Sequence, residues 1–149
     1  MYRLVSFFVI FSFISVMLYF HNQNSHFSSV THLNNHHPAL ILPKSETTPT
    51  ITASVIQDRS GTWLLKIETS HFKFTPEKIG TEDITYNEGH AHLFINGEKI
   101  NRIYGNYYNI DNLKPGKNHI KVTLNGNNHG VFTTHDGKEI AYNQIIDVP

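Results

Sequence analysis

Asn87 to Gly105 reads NEGHAHLFINGEKINRIYG, two short alternating runs on either side of an Asn-Gly pair. A strand turns every second side chain to one face, so His90, His92 and Phe94 point one way and Ala91, Leu93 and Ile95 the other. Asn96-Gly97 suits a type I′ turn, whose two central residues both need positive φ. A three-residue loop with a glycine bulge fits the same residues and shifts the register by one side. The residues facing His92 across the pair therefore stay open. The product is a β-hairpin with one apolar face and one face carrying two imidazoles.

Working outward from the hairpin, the flanking runs are strand-like as well. Upstream, Ile51 to Ile56 sets Ile51, Ala53 and Val55 against Thr52, Ser54 and Ile56, and DRSG at Asp58 to Gly61 supplies a turn. Thr62 to Thr69 then places Trp63, Leu65 and Ile67 on one face, with Trp63 expected as a core anchor. Phe72 and Phe74 keep the period of two until Pro76 ends any central pairing. Lys78 to Glu88 reads as a polar loop. Downstream, Gly105 to Leu113 is expected to cross irregularly, with Tyr107, Tyr108 and Ile110 buried against the sheets.

After the Pro115-Gly116 turn, His119 to Asn125 sets Ile120, Val122 and Leu124 inward and His119, Lys121 and Thr123 outward, a half-buried antiparallel strand. NGNNHG at Asn125 to Gly130 is a loop, Val131 to Thr134 a short strand, Asp136-Gly137 a hairpin turn and Glu139 to Val148 the last strand. No sustained helical period follows residue 21. Turn signals about every 8 to 12 residues predict an all-β, antiparallel sandwich of the Ig-like or fibronectin-like kind over residues 51–149.

The N-terminal segment is of another kind. Leu4 to Phe20, LVSFFVIFSFISVMLYF, is seventeen residues without a charge, which meets the lower limit of ~17 to 25 residues for crossing a bilayer. Residues 1–20 are therefore expected to form a transmembrane helix, and no small-x-small cleavage pattern follows it, which favours an uncleaved signal anchor. Arg3 precedes the span and the next basic residue is Lys44. The positive-inside rule then places the β domain of a single-pass membrane protein outside the cytoplasm. Secretion after signal cleavage is the alternative. Residues 21–50, rich in Asn, Ser, Thr, His and Pro, read as a flexible linker in which only PALILP at Pro38 to Pro43 can bury apolar surface. His21, His26, His32, His36 and His37 fall there at irregular spacing and read as polar spacers.

Composition narrows the chemistry. Twelve basic residues balance twelve acidic ones and neither sign is clustered, so nucleic acid is not expected as a partner. The absence of cysteine excludes disulfides, thiolate catalysis, cysteine zinc sites and blue-copper sites. The two methionines, Met1 and Met17, lie in the apolar segment, so the domain holds no thioether for copper(I). No nucleophile elbow, H-E-x-x-H helix, P-loop or dinucleotide fingerprint occurs, and the carboxylates lie mostly in turns; no catalytic residue and no organic cofactor is expected. Tyr104, Tyr107 and Tyr108 could stack a sugar or peptide, but read better as core.

Eleven histidines remain. Two imidazoles at i and i+2 on a strand can share one cation if a third ligand comes from elsewhere. His129, in the loop ending the His119 strand, is the expected third, ahead of Asn109 and Glu88. His90, His92 and His129 would suit zinc or copper(II). The competing expectation leaves His90 and His92 facing solvent or bonded to neighbouring backbone.

With these residues quoted, Ser60 to Val148 resembles a group of small, exported, uncharacterised bacterial β-sandwich proteins. Their pattern runs S-G-x-W-x-L, N-F-x-F-x-P-E, E-G-H-A-H-L-Y-I/V-D/N-G-x-K, R-I/L-Y-G-P-W-F/Y-H, L-x-P-G-x-H-x-I/V-x-V-x-L and N-A-N-D-H. The matching blocks here are SGTWLL, HFKFTPE, EGHAHLFINGEK, RIYG, LKPGKNHIKVTLN and NGNNH. The resemblance implies a β-sandwich outside the cytoplasm and sets its recurring polar positions on His90, His92 and His129. The metal reading comes from the histidines themselves. Two departures stand out: Asn109 replaces the group's His, and Asn128 its Asp; if those positions hold the metal or orient its ligands, this chain binds metal more weakly than the group does. The expected function is a membrane-anchored, extracytoplasmic, metal-binding module. The alternative is an envelope interaction module without metal that docks another protein or ligand.

Overall fold

The computed structural model describes residues 2–24 and 38–149, except residues 79 and 82, with helical side chains described to residue 19. It falls into two units, residues 1–35 and 36–149. The first contains α1 (Tyr2–Asn24), whose Tyr2–Tyr19 window has a mean hydropathy of 1.8 and is long and apolar enough to cross a membrane. At ~1.5 Å per residue its 23 residues reach about 34 Å, against a hydrocarbon core of about 30 Å. Of the expected linker, residues 25–37 lie outside the described residues, His26, His32, His36 and His37 among them, and nothing of the His21 side chain is described.

The second unit is mostly strand. In chain order it runs β1 (Ala39–Ile41), β2 (Thr50–Gln57), β3 (Trp63–Ser70), β4 (Lys73–Phe74), a 3-10 turn at Pro76–Lys78, β5 (Glu88–Ile95), β6 (Glu98–Ile103), β7 (Tyr107–Asp111), β8 (Gly116–Asn125), β9 (Val131–Thr133) and β10 (Ala141–Val148). One sheet is β2-β3-β7. The larger has seven strands with β8 and β5 at its centre, β10 and β9 following one another along the outer edge of β8, and β6 and β4 along that of β5.

Both sheets feed one core, with Leu65 and Ile67 of β3 meeting Ala91, Leu93, Ile120, Val122 and Leu124 of β5 and β8. The period of two read from the sequence accounts for this: each inward position is an aliphatic residue on a strand whose neighbours point away.

The hairpin closes as a two-residue turn. Asn96 and Gly97 have φ of 54° and 84°, and Ile95 pairs with Glu98. A bulge at Ile100 shifts the pairing farther along, so that His92 faces Arg102.

Four expectations are corrected. The larger sheet is mixed rather than antiparallel throughout, because β1 runs parallel to β9 and β4 parallel to β5. Part of the expected linker is a strand: Leu40 and Leu42 are 9% and 2% exposed, and burying two leucines, at about 1.5–3 kcal/mol each, offsets ordering a few residues. Residues 107–111 form a strand instead of an irregular crossing, and its alternation buries Ile110 while leaving Tyr107 exposed. Finally, β8 is half-buried only in its first half. From Val122 to Asn125 both faces are closed.

Candidate metal centre

The two-sided burial of β8 marks the site. On β5 the inner positions Ala91 and Leu93 enter the core, yet the opposite positions His90 and His92 are also buried, at 0% and 1% exposure. The expectation of solvent-facing histidines is corrected. Register supplies the cause: His90 lies across from Asn125 and His92 across from Thr123, so the outer face presents short polar side chains that leave room for rings. Phe94, Tyr104 and His129 then surround the pair, with Tyr104 and His129 each 5.3 Å from the His90 ring centre and Phe94 6.2 Å from that of His92.

His129 arrives from the β8–β9 loop. Its N–H donates to the Gly126 carbonyl and the Gly126 N–H to the Gly130 carbonyl, both at 2.9 Å. That closed turn puts His129 at φ 69°, a left-handed conformation usually left to Gly or Asn. Such strain costs on the order of 1–3 kcal/mol and gathers at functional positions. Asn128 accepts from the Gly130 N–H at 3.1 Å, shaping the turn. Gly126 and Gly130 lie so close to Leu40 of β1 that an added Cβ would meet its side chain at 2.6 and 2.5 Å. The loop therefore rests on β1.

Two polar residues set the position of His129. Thr123 Oγ1 donates to Asn125 Oδ1 at 2.7 Å, and Asn125 Nδ2 donates to the His129 carbonyl at 3.2 Å. Gly89 is needed beside them, because a Cβ there would come within 2.0 Å of the Asn125 carbonyl oxygen.

One donor nitrogen from each of His90, His92 and His129 lies within 4.8 Å of the others, and no Asp or Glu joins the group among the described residues. The His90 and His92 Nε2 atoms are 2.8 Å apart. Two facing imidazole lone pairs at this distance repel unless a proton or a cation stands between them. Without metal, one ring donates Nε2–H to the other; for both to ligate a cation through Nε2, both must carry their proton on Nδ1.

The 2.8 Å spacing is that of an ordinary N–H···N hydrogen bond between the rings. Burial, with lesser contributions from Lys99, His90, Arg102 and His129, pushes the His92 pKa from 6.5 down to about 2. This keeps the ring neutral, the form that ligates metal.

Of the weaker candidates, Asn109 lies on β7 in the other sheet, where its amide donates to Asp111 at 2.9 Å. Glu88 begins β5 but holds Lys78 at 2.5 Å. Asn125, Thr123 and Gly89 escaped sequence reasoning; their only signal is that the outward row of β8 turns from Lys121 to Thr123 and Asn125 where it meets the histidines.

Comparison with protein-family models, curated proteins and solved structures finds no match.

Proposed function

We propose that the chain is a membrane-anchored extracytoplasmic module that binds zinc or copper(II) through His90, His92 and His129, and that it acts by binding rather than catalysis. The observation that carries this reading is the convergence of three imidazoles in a buried setting. Burying polar rings is costly unless they are satisfied, and a shared cation satisfies several donor atoms at once. The strained backbone of His129 adds weight, since its ring is presented from a conformation that most residues avoid. The apolar α1 with Arg3 on its N-terminal side favours anchoring with the β domain outside the cytoplasm. Two sheets over one core support an Ig-like or fibronectin-like sandwich, with the parallel pairs as edge additions.

The test is calorimetric titration of the full chain in detergent micelles with zinc and with copper(II), beside the His90→Ala/His92→Ala variant. The reading expects about one ion per chain and at least tenfold weaker binding by the variant. Equal binding by both proteins would sink it.

A further inference from the structure

The immediate surroundings of the three histidines carry the wrong sign for a bare dication. Arg102 lies directly across from His92 on β6 and Lys99 across from Phe94, the next residue on the same face of β5. Opposite residues of an antiparallel pair share a face, so both cations border the histidine side of the sheet. Both are exposed, and among the described residues neither takes part in an ion pair. Among the described residues no carboxylate joins the three imidazoles there. His90 and His92 are sealed, whereas His129 and Tyr104 are only partly buried.

We infer that the metal bound by His90, His92 and His129 takes an anionic oxygen ligand, a carboxylate or a phosphate group, in its remaining coordination position, with Arg102 and Lys99 as the residues that attract and hold it. The inference rests on the proposed metal site and goes beyond it by naming the ligand class. Three neutral imidazoles leave the full charge of a dication uncompensated and leave at least one position open. An anion in that position meets a metal on one side and two cations on the other. The arginine adds a planar fork that matches a carboxylate or phosphate edge. Partial burial and then Arg102 lower the Lys99 pKa from its ordinary value, and an anion beside it would offset that shift.

The cations thus have opposite effects on the two ligands. They weaken binding of the bare metal and strengthen binding of the anion that follows, a sign reversal that a purely structural role would not produce. The experiment uses the full chain in detergent micelles, loaded with cobalt(II) as a visible-absorbing stand-in for zinc, in perchlorate buffer. Acetate and inorganic phosphate are added separately, which distinguishes the two sources of anionic oxygen.

In the native protein one of them should shift the cobalt spectrum. In Lys99→Gln/Arg102→Gln the same shift should need about tenfold more anion. That variant should also bind cobalt in perchlorate at least as tightly as the native chain. A cobalt spectrum indifferent to both anions, or equal anion affinity in the variant, overturns the inference while leaving the metal site standing. Failure of cobalt, zinc and copper(II) to bind with or without either anion overturns both.

Discussion

Asn125→Ala is the perturbation that separates a positioned site from three histidines that merely lie close together. It removes two hydrogen bonds, one accepted from Thr123 Oγ1 and one donated to the His129 carbonyl. Each is neutral and worth about 1 kcal/mol net, and the Thr123 hydroxyl is left buried at a further cost of ~1–3 kcal/mol. The expected loss is about 3–5 kcal/mol of stability, seen as a lower midpoint in urea unfolding followed by circular dichroism. The second consequence concerns the metal. Freeing the His129 carbonyl lets the loop wander, and loss of an orienting partner of this kind typically costs ~10–100-fold in affinity. A zinc competition assay with a chromophoric chelator measures it. The loss should vanish in a His129→Ala background, since there is no longer a ring to position. An equal affinity loss with and without His129, or lower stability at unchanged affinity, would refute this account of the loop.

Three further outcomes follow from the same neighbourhood. Gly89→Ala forces a Cβ against the Asn125 carbonyl; it should destabilise by ~3 kcal/mol or more in urea unfolding and weaken metal binding with it. Leu40→Ala empties the space beneath Gly126 and Gly130 and should cost about 2–4 kcal/mol, with faster amide exchange at residues 126–130 than elsewhere in the larger sheet. Acid should destabilise the metal-free chain: burial holds the His92 pKa at about 2 when folded, against an ordinary 6.5, so the unfolded state binds the extra proton between these values. Stability is therefore lost as pH falls below about 6.5, by up to about 1.4 kcal/mol per pH unit, and His92→Gln should flatten that slope.

What could be read from the sequence was whatever obeyed a period of two or a local turn rule. The aliphatic rows of β3, β5 and β8 and the Asn96-Gly97 turn are of that kind, and they suffice to place His90 and His92 side by side on a strand. The proximity of His129 was legible because its loop directly follows the strand paired with β5. Register was not legible, since the bulge at Ile100 depends on packing across the sheet, and with it went the positions of Arg102 and Lys99. Nor was the contribution of Leu40 and Leu42, whose segment has linker composition and becomes a strand only because two loop glycines leave room for a leucine. The Asn125 contacts are tertiary and leave no local trace. Asn109, a weaker ligand candidate, lies on β7 in the other sheet.

The central claim is that His90, His92 and His129 hold one metal ion together. X-ray absorption spectroscopy of the zinc- or copper(II)-loaded full chain counts the imidazoles directly. Three at ~2.0–2.1 Å, falling to two in His129→Ala, is the predicted result. A first shell without imidazole scattering, or one unchanged by removing His129, would contradict it.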